Sequence, residues 1–84
     1  MKRVAVIGAI LEKPQISQKA FNEKVSAFKG IIKGRMGIPM DEQNMAVISL
    51  TVVGESDEIN SLAGELESLE FVTVKTAVSG KAVD

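Results

Sequence analysis

Met45-Ala46-Val47-Ile48-Ser49-Leu50-Thr51-Val52-Val53 alternates an apolar set, Ala46, Ile48, Leu50 and Val52, with a half-apolar set, Met45, Val47, Ser49, Thr51 and Val53. A period of two in a β-branched run predicts a strand, and Gly54 ends it. Asp41-Glu42-Gln43-Asn44 before it is a polar turn. Earlier still, Ile32, Met36, Ile38 and Met40 alternate within Ile31 to Met40, but Gly34, Gly37 and Pro39 interrupt them. Glycine and proline demote such a run to an edge strand open to a bulge. The centre of the chain therefore reads as a hairpin.

Outward from the hairpin the pattern is repeated on both sides. Val4 to Leu11 is apolar on both alternating faces, as in a central strand covered twice. Gly8 leaves a gap in one face, where close approach is expected. After the break at Glu12-Lys13-Pro14-Gln15, Ser17 is placed to cap a helix running to about Lys29. Ile16 and Phe21 would staple its start. Ile16, Ala20, Phe21, Val25 and Phe28 form its apolar stripe, and Gly30 follows as a C-terminal cap. On the other side, Ser56 is placed to cap a second helix, with Asp57 and Glu58 in the first turn. Ile59, Leu62, Ala63, Leu66 and Leu69 follow at helical spacing. Phe71 to Ser79 reads as a last strand, with Val72, Val74 and Val78 on one face and Phe71, Thr73, Lys75 and Ala77 on the other.

The order is β-α-β-β-α-β, an α+β fold of ferredoxin-like type. Right-handed crossovers place both helices on one face of a four-stranded antiparallel sheet. Residues 1–80 are expected to form the single domain and 81–84 a short tail. The second sheet face, which holds either the Met45, Val47, Ser49, Thr51 and Val53 set or its alternate, has no helix to cover it, and a large exposed apolar face marks an interaction surface. Met45, Val47, Thr51, Val53 and Phe71 are the candidate contacts between subunits. A domain of 84 residues buries only roughly 60% of its unfolded surface and usually needs a staple. With no cysteine for disulfides, a homo-oligomer, dimer or tetramer, is expected.

The residue inventory strikes out several chemistries. Cysteine and histidine are both absent, so iron–sulfur clusters, C-x-x-C carriers, imidazole ligands and triad bases are excluded. The carboxylates around Asp41 and Glu55 lack the spacing of a calcium loop. No metal, cofactor or catalytic residue is expected. The formal net charge of −1 and the lack of aromatics in Val4–Leu11 and Met45–Val53 argue against direct nucleic-acid binding. No apolar run is long enough to span a membrane. Met1-Lys2-Arg3 ahead of Val4–Leu11 imitates a signal peptide, but no small-residue cleavage site follows. The expected location is the cytoplasm.

Gly34-Arg35-Met36-Gly37 is the most unusual stretch. A guanidinium flanked by bare backbone suits bidentate contact with a carboxylate or phosphate, although charge and glycine also guard an edge strand. Lys33 is expected on the same strand face as Arg35. Lys13 and Gln15 sit where the first strand meets the first helix, near a helix N-terminus, or serve only as a connector. Lys13, Gln15, Lys33, Arg35 and Gly37 are the candidate effector-binding residues. Lys19, Lys24, Lys29, Lys33 and Arg35 make the first half basic, while Glu55, Asp57, Glu58, Glu65, Glu67 and Glu70 make the second helix acidic. Those charges suit either docking to a matched partner or plain solvation.

Lys2 to Ile10, Gly30 to Pro39 and Ile48 to Gly54 resemble the proteins provisionally described as iron-only hydrogenase system regulators. These are short ACT-like domains, similar in fold to the C-terminal domain of the nickel-responsive repressor. The resemblance implies association through sheets or strand edges and small effectors bound between subunits. It also implies a regulatory role linked to the iron-only hydrogenase system. The nickel ligands of the repressor are His and Cys, which this chain lacks, so that sensing chemistry does not carry over. The leading expectation is a non-enzymatic regulatory module taking a small effector or a protein partner. A structural scaffold for hydrogenase-related proteins is the alternative. An acyl-phosphate hydrolase using Arg35 and Asn44 is disfavoured, because Glu12-Lys13-Pro14 stands where its glycine loop would be.

Overall fold

A computed structural model describes residues 1–83. Six elements follow in the order β1 (Lys2–Glu12), α1 (Pro14–Ala27), β2 (Ile32–Met40), β3 (Met45–Glu55), α2 (Ser56–Glu67) and β4 (Val72–Ala82). The strands form one antiparallel sheet in the order β2-β3-β1-β4. This is the ferredoxin-like βαββαβ arrangement expected from the sequence. Asp84, the end of the expected tail, lies outside the described residues. Residues ahead of it belong to the sheet: β4 continues through Ala82, and the Val83 N–H donates to the Lys2 carbonyl at 2.8 Å.

The core lies between the sheet and both helices. Ala5, Ile7, Ala9 and Leu11 of β1 and Ala46, Ile48, Leu50 and Val52 of β3 are buried together with Phe21, Val25, Ile59, Leu62 and Leu66 from the helices. Every second residue of both central strands therefore points at the helices, as period-two patterning requires. Lys24 of α1 and Glu65 of α2 form an ion pair at 2.8 Å, so some of the opposite charge on the two helices is matched within the chain. Both partners are substantially exposed, and such a pair adds little stability.

Several local expectations are revised by the backbone. Ser17 is not a cap: α1 begins at Pro14, and the buried Ser17 hydroxyl donates to the Glu12 carbonyl at 3.0 Å. Proline at the first helical position starts the helix earlier, since its missing N–H is an orphan there in any case. Ile16 is exposed and no longer precedes the cap, so the expected staple is absent. Gly30 lies in a 3₁₀ turn, Lys29–Ile31, and has no positive φ. Glu55, not Ser56, caps α2 through a capping box, with its own N–H donating to the Glu58 carboxylate at 2.9 Å. A register shift between Ile32 and Gly34 marks the bulge in β2 and breaks the alternation expected to align Lys33 with Arg35.

β4 starts at Val72, one residue after the sequence suggests. Phe71 has φ 68°, an outlier for so bulky a side chain. It does not stand alone. Lys13 (φ 49°) and Asn44 (φ 55°) are also left-handed, and all three gather at one end of the sheet. The Lys13 N–H donates to the Asn44 carbonyl at 3.0 Å, and the Glu12 N–H donates to the Phe71 carbonyl at 2.8 Å. The Lys13 ammonium also lies 4.8 Å from the centre of the Phe71 ring, a cation–π distance.

The close approach expected at Gly8 occurs at Gly54 instead. A Cβ on Gly54 would stand 3.0 Å from Ile31 Cγ2 and 3.1 Å from Glu58 Oε1, whereas on Gly8 it would meet only the Lys75 carbonyl oxygen at 3.9 Å. Gly54→Ala is expected to lower the free energy of unfolding by about 1–3 kcal/mol. Gly8→Ala should stay within about 0.5 kcal/mol of the parent. Urea titration of both variants checks this, and equal losses would remove the special role of Gly54.

Candidate functional site

Two surfaces stand out, and β2 borders both. It is the edge strand beside β3, and every residue from Lys33 to Met40 is exposed. Its pairing puts Arg35 opposite Leu50, Gly37 opposite Ile48 and Pro39 opposite Ala46, all on the helix side. Met36, Ile38 and Met40 pair with Ser49, Val47 and Met45 on the opposite side. Directly paired residues in antiparallel strands share a face, which settles the direction of each.

On the helix side, α1 does not close over β2. A cleft of about 320 Å³ remains between them. Pro14 and Gln18 of α1 form one wall, Arg35, Gly37 and Pro39 of β2 the other, and Ala46 and Ile48 of β3 contribute apolar lining. Asp41, in the turn after β2, also borders it. The Arg35 guanidinium is oriented by two contacts. It donates to Asn22 Oδ1 at 2.8 Å and lies 5.8 Å from the centre of the Phe21 ring. No ion pair among the described residues uses it. A guanidinium carries five donors, so most of its hydrogen-bonding capacity is left open.

The candidate effector residues are thus only partly brought together. Arg35 and Gly37 line the cleft. Lys13 lies over Phe71, Gln15 is exposed on α1, and Lys33 falls at the bulge; none of the three lines this cleft. Gln18 and Asn22 were missed by sequence reasoning. Their signal is Pro14, Gln18 and Asn22 at i, i+4 and i+8, one uncharged stripe of the helix. Asn44 lies past the end of β2, beyond Met40, whereas Arg35 is bonded to Asn22. Nothing in that placement joins Arg35 and Asn44 into a hydrolase pair.

On the other side the sheet is bare. Val6, Ile10, Met36, Ile38 and Met40 are exposed there, with Met45, Val47 and Val53 half-buried among them. Four of the five candidate interface residues, Met45, Val47, Thr51 and Val53, lie on this face, while Phe71 stands apart at the end of the sheet. Around Gly8, Ile10, Val47, Thr73 and Lys75 the face dips into a shallow apolar concavity of about 220 Å³. Among the described residues no cluster of acidic side chains could hold a metal ion, and no helix is long and apolar enough to cross a membrane.

Residues 3–76 match the TM1266-like family model, provisionally described as an iron-only hydrogenase system regulator. The chain belongs to this family. It is similar in structure to the uncharacterized protein TM1266 from Thermotoga maritima, at 32% identity and a TM-score of 0.89, covering 93% of this chain and 98% of that one. Two more distant structures share the fold alone. A formyltetrahydrofolate deformylase from Pseudomonas putida KT2440 aligns at 8% identity and a TM-score of 0.61, over 88% of this chain and 28% of that one. SnoaB, a cofactor-independent oxygenase from Streptomyces nogalater, aligns at 10% identity and a TM-score of 0.60, over 100% and 97%. A search of the curated proteins finds no match.

For this TM1266-like chain, Arg35 contributes little to holding the fold. Arg35→Ala removes one exposed hydrogen bond and a ring contact, and is expected to change stability by less than about 1 kcal/mol. Phe21→Ala, at a fully buried position, should cost about 3–5 kcal/mol. Chemical denaturation of the two variants makes the comparison, and a loss at Arg35 approaching that at Phe21 would make Arg35 a structural residue.

Proposed function

We propose that the chain is a non-enzymatic, oligomeric regulatory module of the iron-only hydrogenase system, taking a small effector or protein partner at a subunit interface. The observation that carries this is the uncovered sheet face. An antiparallel sheet with one solvated side normally alternates apolar and polar residues. Here Val4, Val6, Ile10, Val47, Val53, Met36, Ile38 and Met40 occupy the side away from the helices. The face measures roughly 36 Å by 19 Å, from eleven-residue strands at about 3.3 Å per residue and four strands each about 4.8 Å wide. Pairing two copies would bury somewhat more than about 1,200 Å², the lower end of a specific interface.

The regulatory assignment draws on the family description, and the absence of histidine and cysteine supports a non-enzymatic reading. Native mass spectrometry of the purified protein is the first test. A dimer or tetramer is expected, and Val47→Lys combined with Ile38→Lys should convert it to a monomer with unchanged far-ultraviolet circular dichroism. A parent protein that is monomeric at micromolar concentration would overturn the interface. An oligomer that binds a hydrogenase-related protein stoichiometrically, with no small molecule required, would replace the effector module with a scaffold.

A further inference from the structure

We infer that the cleft between α1 and β2 receives an elongated monocarboxylate, its carboxylate on Arg35 and its hydrocarbon body along Gly37, Pro39, Ala46 and Ile48. This rests on the reading of the chain as an effector-binding module and names a ligand class for the helix-side cleft, across the sheet from the proposed subunit interface. The Arg35 guanidinium borders the cleft, is steadied by Asn22 and the Phe21 ring, and pairs with no carboxylate among the described residues. Its planar fork matches a carboxylate in two parallel hydrogen bonds. Pro39, Ala46 and Ile48 offer apolar lining beside it, the mix of a few polar groups and an apolar wall found in small-molecule sites.

The charges restrict the ligand further. Among the described residues Arg35 is the only cation lining the cleft and Asp41 the only anion, so one guanidinium balances a monoanion and leaves the second charge of a dianion such as phosphate without a partner. The backbone positions of Arg35 and Asp41 lie far apart along the cleft. Five strand positions, about 17 Å of backbone, separate Arg35 from Met40, the residue before Asp41. On the helix wall, Asn22, which binds Arg35, is eight residues or about 12 Å of axis beyond Pro14. A compact molecule held by Arg35 leaves the Asp41 end empty, and the space between is lined by Pro14, Gly37, Pro39, Ala46 and Ile48 beside Gln18. The length of the cleft therefore favours a hydrocarbon chain behind the carboxylate.

The test is titration of the ¹⁵N-labelled protein with hexanoate, hexan-1-ol and inorganic phosphate, followed by backbone amide shifts. Hexanoate should move Gln18, Arg35, Gly37 and Ala46 saturably. Arg35→Gln should weaken hexanoate at least about tenfold, as loss of a charged hydrogen-bonding partner implies, and leave any hexan-1-ol binding within about twofold. If Arg35→Gln does not fold, Arg35→Lys keeps the charge, removes the fork and should still weaken hexanoate several-fold. Hexanoate binding indifferent to both variants would overturn the proposal. So would shifts centred on Val6, Ile10 and Met36, or phosphate bound as tightly as hexanoate. The oligomeric mass of the same sample separates the two readings. A monomer with Arg35-dependent hexanoate binding removes the subunit interface and keeps the cleft. An oligomer without such binding removes the cleft and keeps the interface.

Discussion

β1 and β3 pair along the full eleven residues of each strand, from Lys2 opposite Glu55 to Glu12 opposite Met45, and no shift interrupts the ladder. That register decides which residues meet the helices. It sets Ala5 against Val52, Ala9 against Ile48 and Leu11 against Ala46, so a small side chain on one strand faces a larger one on the other. The small positions leave room for side chains from α1 and α2, where Phe21, Ile59, Leu62 and Leu66 are fully buried. A slip of one residue would turn every side chain of one strand to the other face, taking either Ile7 or Leu50 out of the core.

Polarity cannot fix this register by itself, because both faces of β1 are apolar. The ends of the strands supply the missing specificity. At one end, the turn after Met40 closes on a left-handed Asn44, whose carbonyl receives the Lys13 N–H, and Glu12 is tied to Phe71. A left-handed conformation costs about 1–2 kcal/mol in a non-glycine residue, so these three positions persist only because neighbouring contacts outweigh that cost. At the other end, the capping box at Glu55 starts α2 as soon as β3 stops, and Gly54 admits Ile31 against the sheet.

Most of the fold was legible in the sequence because it rests on periodicity. The strand order along the chain, the edge position and bulge of β2, and the buried faces of both helices all follow from spacing and from glycine or proline. Apart from the close approach expected at Gly8 and the alignment of Lys33 with Arg35, the errors fell at element ends, where chemistry of one or two residues decides. Ser17 and Ser56 look like caps, yet Pro14 and Glu55 take precedence, one by its preset φ and the other by reciprocal bonding with Glu58. Phe71 reads as strand because aromatics favour strands, and nothing local announces a positive φ. At the site, flanking glycines singled out Arg35, but its partner Asn22 is an ordinary polar helix residue until the fold places β2 beside α1.

β2, like the other edge strand β4, is held by one ladder with a register shift, but β4 buries Val74 whereas no residue from Lys33 to Met40 is buried. Regions with few buried contacts occupy the low-stability end of a protein's local opening free energies. Yet this strand contributes Arg35, Gly37 and Pro39 to the cleft and Met36, Ile38 and Met40 to the bare face. A single backbone thus separates the two surfaces. Any occupant that binds the ordered strand from one side stabilises it by mass action, and an ordered strand presents the other side at lower entropic cost. Occupants of the two surfaces would be coupled through this shared strand, with no rearrangement of the core required.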